Sequence, residues 1–327
     1  MTEAVQRLVV SILEAMEKKH STAITLCDLT KAFYCVSHEI LLGKLMRYGV
    51  GGVAMKTMQE YLLWRRQVLT ISGAKSQELQ VKYGVPQGSI LDLLLFLIFI
   101  NDLSMDGEAL LFADDTTLIA QEEDPRLAVL RSAELLEEAS TWFRANRLYM
   151  NGEKTQNVLC TLRHGLPPFG GPEVKLLGFM VDSSLIWDQH IDMICNRLSK
   201  VTYLIPKLRS HVPRSYLVTA YHDLFHSHIN NGIALWGHAS GCHRILLLQK
   251  KVICIITPSP YLEHCHPLFR RLGILTVFNQ YVLNSLVLLK GQLHTLQARG
   301  QIDNYSTRGR GKIDLPLLPN AHIKNLQ

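Results

Sequence analysis

Two adjacent carboxylates, Asp114 and Asp115, stand between two short apolar runs, Ala109 to Ala113 and Thr116 to Ala120. The runs read as the strands of a hairpin with the acidic pair at its tip. Neighbouring side chains on an extended strand point to opposite faces, but at a turn both reach one region. Two ionised carboxylates held side by side repel, and burial raises that cost further. A divalent cation removes it. Two-metal sites use several carboxylates to hold ions about 3.5–4 Å apart, where an attacking oxygen is activated and a leaving oxygen stabilised. Asp28 closes another apolar, β-branched run, Ala23 to Leu29, and offers a third carboxylate at a strand end. Mg²⁺ suits such a set, being a hard ion held by one or two carboxylates plus substrate phosphates. Taken alone, an Asp-Asp pair is more commonly a solvated acidic turn.

The elements that must position these residues can be read from periodicity. Val5, Leu8, Val9, Ile12, Leu13 and Met16 form one helical face. Helical patterns follow at His38 to Tyr48 and Val53 to Leu63, and a strand pair, Gln67 to Ile71 with Glu78 to Tyr83, is joined through a Ser-Gly turn. An apolar helix spans Ser89 to Asp102 after a Pro-Gln-Gly turn. Asp124-Pro125 starts another helix, with Asp as N-cap and Pro in the first turn. Leu127, Leu130, Ala133, Leu136, Ala139 and Phe143 are its expected buried stripe. Strands and helices interleave without a βαβ repeat, so the expected class is α+β, an antiparallel sheet packed on helices. After a Gly/Pro-rich connection at 165–172, the pattern from Asp188 to about Lys290 is helical throughout, with Pro206 inside one helix. The remainder reads as a polar, basic tail.

Composition sets the outer limits. The 327 residues are 47% hydrophobic and 19% charged, which excludes a disordered chain. The longest apolar run, Leu93 to Ile100, falls far short of a membrane helix. Nothing at the N-terminus has the order of a secretory signal, so an intracellular protein of nucleus or cytoplasm is expected. Seven cysteines without a CxxC pair fit reduced, mostly buried thiols. Charge is divided: 18 basic against 22 acidic residues in 1–182, then 16 basic against 6 acidic in 183–327. An acidic part joined to a basic one suits a metal centre beside a polyanion grip. His222, His226 and His228, and the run His264-Cys265-His266, lack zinc-module spacing. Trp187 and Trp236 read as core.

Five segments stand in a fixed order: CDLTKAFYCVSHEIL, GVPQGSIL, LLFADDTTLI, NGEKTQ and VKLLGFMVDSSLIWDQHI. They resemble motifs A to E of reverse transcriptases, in wording similar to the non-LTR (LINE-type, jockey-like) retrotransposon class. AYHDLFHSHINNGIALWGHAS and LQKKVICIITPSPYLEHCHPLFRRLGILT resemble the thumb region of the same elements, so the likeness runs from about Thr22 to Thr276.

The resemblance implies a right-hand polymerase palm followed by an all-helical thumb: 1–165 palm with a remnant of fingers, 166–182 connection and primer-grip hairpin, 183–290 basic thumb, 291–327 tail. It implies an RNA-directed DNA polymerase that transfers nucleotides to a primer 3′-hydroxyl from deoxynucleoside triphosphates on an RNA template, with two Mg²⁺ ions. No membrane and no obligatory protein partner are implied. Asp28, Asp114 and Asp115 would hold the metals. Phe33 would be the gate that disfavours a 2′-hydroxyl, although a partly buried Phe also suits an ordinary core. Gln87 and Gly88 would border the nucleotide, Gly permitting close backbone approach. Lys154 would serve the leaving pyrophosphate as proton donor or point charge. Leu177, Gly178 and Phe179 would form the primer grip. Arg197, Lys200, Lys207, Arg209, Lys250 and Lys251 would contact phosphates without reading sequence.

Three departures bear on activity. Tyr34 stands where the class usually has Asp, and is expected to distort the strand that carries Asp28. Asp92 and Leu93 replace a usual Gly-Pro, placing a charge in an apolar run, a local inconsistency. The chain begins close to motif A, so fingers and endonuclease are expected to be mostly missing and activity impaired. The alternative function is a nucleic-acid-binding remnant without catalysis. An RNA-templated RNA polymerase is disfavoured by Phe33.

Overall fold

The computed structural model describes residues 1–86, 88–163, 169–257 and 264–292. The chain divides into two compact units. One holds Met1 and 10–174, the other 2–9 and the described residues from Lys175 onward.

Helix α1 (Thr2–Glu17) is amphipathic, with Val5, Leu8, Val9, Ile12 and Met16 buried, as its spacing requires. The first unit continues with β1 (Ser21–Cys27), α2 (Ala32–Cys35), α3 (His38–Arg47), α4 (Gly52–Leu63), β2 (Arg66–Gln67), β3 (Thr70–Ile71), β4 (Ala74–Lys75) and β5 (Leu79–Gln80). Then come α5 (Asp92–Ile100), β6 (Glu108–Phe112), β7 (Asp115–Glu122), α6 (Pro125–Ala145) and β8 (Gln156–Cys160). Four strands form an antiparallel sheet in the order β6-β7-β1-β8.

Every residue of β1 is buried, so both faces of this central strand are covered and its sequence shows no apolar/polar alternation. Thr25 is accommodated because its hydroxyl is 2.8 Å from both Ser132 Oγ and Asn157 Oδ1. Alternation puts Ala23, Thr25, Cys27, Thr116, Leu118 and Ala120 on one face. The apolar members of that set join a core with Leu41, Leu45, Leu95, Phe96, Phe99, Ala128, Leu135, Ala139 and Phe143. The opposite face carries Ile24, Leu26, Ile119 and Gln121, and Ser11 of α1 meets it through a 2.8 Å hydrogen bond from Gln121.

Asp124 caps α6 as expected, accepting from the Arg126 N–H at 2.8 Å with Pro125 in the first turn. The buried stripe of α6 differs from expectation. Leu127 and Leu130 are exposed, and Ala128, Ser132, Leu135, Ala139 and Phe143 face inward. Small residues at three of those positions bring the helix against the sheet, close enough for the Thr25–Ser132 bond. The strand pair after α4 also differs in detail. It is a ribbon of two short ladders, β2·β5 and β3·β4, turning at Ser72-Gly73 with both φ angles positive. Ser76 interrupts it, its hydroxyl accepting from the Leu69 N–H at 2.9 Å.

The second unit contains the hairpin β9 (Glu173–Leu176) and β10 (Phe179–Asp182), then α7 (Asp188–Arg209) and α8 (Arg214–Tyr221). One π-helical turn, His222–His226, leads to α9 (Ser227–Asn230), α10 (Ile233–Trp236), α11 (Cys242–Ile256), α12 (Cys265–Leu272) and α13 (Val277–Gln292). Pro206 lies within α7, which runs on to Arg209. Trp187, Trp236, Tyr221, Phe179 and Phe225 are fully buried here. Asp182 accepts from the N–H groups of Ser184, Ile186 and Trp187, fixing the entry to α7. Among the described residues no disulfide is formed, and Cys27, Cys160, Cys195 and Cys242 are buried. Among the same residues no single helix is long and apolar enough to cross a membrane. Most of the expected tail, from residue 293, lies outside the described residues.

Candidate active site

The position of Asp28 follows from strand register. β1 pairs with β7 antiparallel as far as Cys27 opposite Thr116, and the same register carried one residue further would set Asp28 across from Asp115. β7 also closes the hairpin with β6, Phe112 opposite Asp115, which leaves Ala113 and Asp114 as a two-residue turn. Ala113 sits at φ +53°, a conformation that costs a non-glycine residue about 1 kcal/mol or more. The acidic pair is thus split between turn and strand: Asp114 in the turn, Asp115 the first residue of β7.

The end of β1 is held from a second direction. Asn151 donates its N–H to the Asp28 carbonyl at 2.8 Å, Leu29 bridges Met150, and Thr30 donates to the Tyr149 carbonyl at 2.8 Å. The Asn151 carbonyl accepts from the N–H groups of Lys154 and Thr155, and from the Thr155 hydroxyl at 2.9 Å. This tight turn brings Lys154 Nζ to 3.7 Å from Asp28 Oδ2, with the lysine side chain 68% exposed. Partial burial raises the Asp115 carboxyl above its ordinary 3.8, and the charges of Asp114 and Asp28 raise it further. The strand that carries Asp28 is regular despite Tyr34. That phenol is exposed, and β1 keeps its register through Cys27.

Among the described residues no three His, Cys, Asp or Glu side chains are gathered as a metal-binding set. The donor type nonetheless suits a hard divalent cation: Asp28, Asp114 and Asp115 offer carboxylate oxygens, and Asp115 is disfavoured as an anion first by burial and then by the charges of Asp114 and Asp28. The positive charge that faces Asp28 is the Lys154 ammonium.

Phe33 lies on α2, partly buried and stacked on Phe96 with centroids 4.4 Å apart. The segment before the Pro-Gln-Gly turn is stitched to the same stretch. Val85 N–H donates to the Phe33 carbonyl at 2.9 Å, and Gly84 N–H to the Val36 carbonyl at 2.8 Å. His38 Nε2 is 2.8 Å from the Gly84 carbonyl oxygen. Gly84 has φ +87°, and a side chain there would also press on the Tyr34 backbone at 3.1 Å, so this crossing favours glycine. Gly88 has φ +81°, and its N–H donates to Asp92 Oδ2 at 2.7 Å. Asp92 is therefore no intruder in an apolar run: it opens α5 and binds the preceding turn. Gln87 lies outside the described residues.

In the second unit, Leu177 (φ +48°) and Gly178 (φ +86°) form the two-residue turn between β9 and β10, the signs of a type I′ hairpin. Phe179 is fully buried and stacked on His190 at 5.1 Å. Its ring anchors the hairpin inward, so only the Leu177–Gly178 tip is presented. Arg197, Lys200, Lys207, Arg209, Lys250 and Lys251 are all exposed, the first four on α7 and the last two on α11. Arg197, Lys200 and Lys207 recur at helical spacing along one side of α7. Sequence reasoning missed His38, Asn151 and the bond made by Asp92. His38 acts across 46 residues and Asn151 across more than a hundred, with no local pattern to reveal either. The Asp at a helix start, four residues after a turn glycine, was the signal for Asp92.

Comparison with known proteins comes down on one side. The family model described as reverse transcriptase (RNA-dependent DNA polymerase) matches residues 3–181. The probable RNA-directed DNA polymerase from transposon X-element of Drosophila melanogaster is 29% identical over 85% of the chain and 33% of its own length. The RNA-directed DNA polymerase from mobile element jockey of the same species is 26% identical over 83% of the chain and 32% of its own length. The chain thus spans about a third of these relatives. Telomerase from Candida albicans, solved with a TWJ fragment of telomeric RNA, shares the fold at TM-score 0.51 and 10% identity, over 84% of the chain and 53% of its own.

Proposed function

The chain belongs to the reverse transcriptase family, and on that premise we propose that its first unit is a polymerase palm and its helical second unit a thumb. The reaction is RNA-templated transfer of a deoxynucleotide to a primer 3′-hydroxyl. The observation that supports this reading is the register of β1 on β7, Cys27 opposite Thr116, which ends β1 one residue before Asp28 beside the turn holding Asp114, with Lys154 Nζ 3.7 Å from Asp28.

The family works with divalent cations. Asp28, Asp114 and Asp115 would hold two Mg²⁺ ions, which would lower the cost of the attacking alkoxide and of charge on the leaving pyrophosphate. The chain's own groups supply the rest. Lys154, flexible and close to Asp28, is placed to give a proton or a point charge to the departing phosphate. Phe33 is braced by Phe96, so its ring cannot retreat from a 2′-hydroxyl. Gly88, held by Asp92, would border the nucleotide on the side away from Phe33. The exposed bases of α7 and α11 hold the duplex by its phosphates, with affinity that falls as salt rises. Site of action inside the cell follows the template, nucleus or cytoplasm.

Primer extension on an RNA template with Mg²⁺ tests the reading. Template-dependent DNA synthesis that Asp114→Asn abolishes is the expected result. Salt-dependent binding to the primer–template without any extension would replace it with the non-catalytic nucleic-acid-binding function.

A further inference from the structure

Asp92 sits where a polymerase of this class usually carries glycine, yet each of its carboxylate oxygens accepts a backbone hydrogen bond. Oδ2 accepts from the Gly88 N–H at 2.7 Å, and Oδ1 from the Leu93 N–H at 2.6 Å. Hydrogen bonds to a carboxylate are shorter and stronger than neutral ones, and an acid in the first turn of a helix also faces the positive end of its dipole. Two further bonds close the turn: Ser89 N–H to the Pro86 carbonyl at 3.1 Å and Asp92 N–H to the Ser89 carbonyl at 3.4 Å.

These bonds complete a ring of contacts. Phe33 accepts from Val85. Val85 leads through Pro86 to Gly88, and Gly88 is held by Asp92. Asp92 opens α5, which buries Leu95, Phe96, Phe99 and Ile100 in the core. Phe96 stacks on Phe33 and closes the ring. The upstream end of the turn is thus tied to the helix bearing Phe33, and the downstream end to the helix that supports Phe33 from behind. Gly88, at φ +81°, is a residue whose backbone would wander if its N–H were released.

We propose that Asp92 is a positioning residue for the incoming nucleotide: its carboxylate clasps Gly88 and so fixes the distance between the turn and Phe33. The proposal rests on the polymerase reading, in which these two features border the nucleotide. Asp92 touches no reacting atom and acts through Gly88. Removal of the clasp loosens the pocket, so the loss falls on nucleotide affinity and sugar discrimination more than on turnover. The asparagine variant keeps an amide oxygen that accepts the same bond.

The test uses the full chain with Asp92→Ala and Asp92→Asn. Two readouts need no turnover: peptide-level amide hydrogen exchange across residues 85–94, and equilibrium binding of a fluorescent deoxynucleoside triphosphate with Mg²⁺ to the chain on a primer–template. Asp92→Ala is expected to speed exchange in that peptide alone and to weaken nucleotide binding about tenfold, the worth of one charge-assisted bond. Asp92→Asn is expected to recover most of both. In extension assays the same order should appear in KM, with a higher rate of ribonucleotide incorporation for Asp92→Ala. Unchanged exchange at the turn, or nucleotide binding as tight in Asp92→Ala as in the parent chain, overturns the role of Asp92. Failure of the parent chain itself to bind the nucleotide overturns the polymerase reading beneath it.

Discussion

Replacing Asp115 by Asn should make the protein more stable while removing its chemistry. The charges of Asp114 and Asp28 both act on Asp115; the β1–β7 register carried one residue past Cys27 would put Asp28 across from it, and cross-strand partners have Cβ atoms about 4.5–5.5 Å apart. Two carboxylate charges about 6 Å apart repel by about 0.7 kcal/mol in water and about 3 kcal/mol at an effective dielectric of about 20. Both groups reach solvent and Lys154 faces Asp28, so the lower part of that range applies, about 1 kcal/mol. For a protein of this size that is a rise in Tm of about 2–4 °C. The pH dependence ties the effect to the Asp115 charge, which burial and the neighbouring carboxylates both disfavour. A carboxyl whose folded pKa is raised binds more protons in the native state than in the unfolded one, so its destabilising effect is complete at neutral pH and disappears as pH falls through the raised value to below 3.8. The gain from Asp115→Asn should therefore be largest near pH 7 and vanish in acid. Urea denaturation of both proteins in metal-free buffer at a series of pH values measures it. A variant that is less stable at pH 7, or a gain that does not vary with pH, would refute the idea that these carboxylates share one field.

Four further outcomes are expected. Lys154→Met should slow single-turnover nucleotide addition about a hundredfold, the range of one general acid; its stability should change little, because the Lys154–Asp28 pair is exposed. Phe33→Val should raise incorporation of ribonucleotides relative to deoxynucleotides in extension assays; an unchanged ratio would make Phe33 a packing residue for Phe96 alone. Thr25→Val should lower stability by about 1–3 kcal/mol in thermal denaturation, since Ser132 and Asn157 lose a buried partner. His190 accepts from the Met180 N–H and is buried against Phe179, and burial, aided by the Arg197 charge, lowers its pKa to about 4. Its neutral form is the folded one, so stability should fall as pH drops from 6.5 towards 4, and His190→Gln should flatten that slope in denaturation curves.

The sequence by itself determined the elements and the family. Period-3.6 spacing in residues 5–16 and the Asp-Pro start at 124–125 are local features, fixed by helix geometry and by the missing N–H of proline, and both helices form where those rules put them. The ordered motifs around Asp28, the Gln87–Gly88 turn, Asp114–Asp115, Lys154 and Leu177–Phe179 were enough to name the reverse transcriptase class, which the family comparison shows. The tertiary structure decided what stands against what. Alternation alone cannot say that the charge of Asp28 reaches Asp115, because a slip of one residue would turn it to the other side of the sheet. The buried face of α6 was misread because Ala128 and Ser132 carry no hydrophobic signal, and only close contact with β1 selects them. Asp92 read as a local inconsistency because a charge in an apolar run is costly unless it has a partner, and its partner is a backbone N–H that no residue type announces.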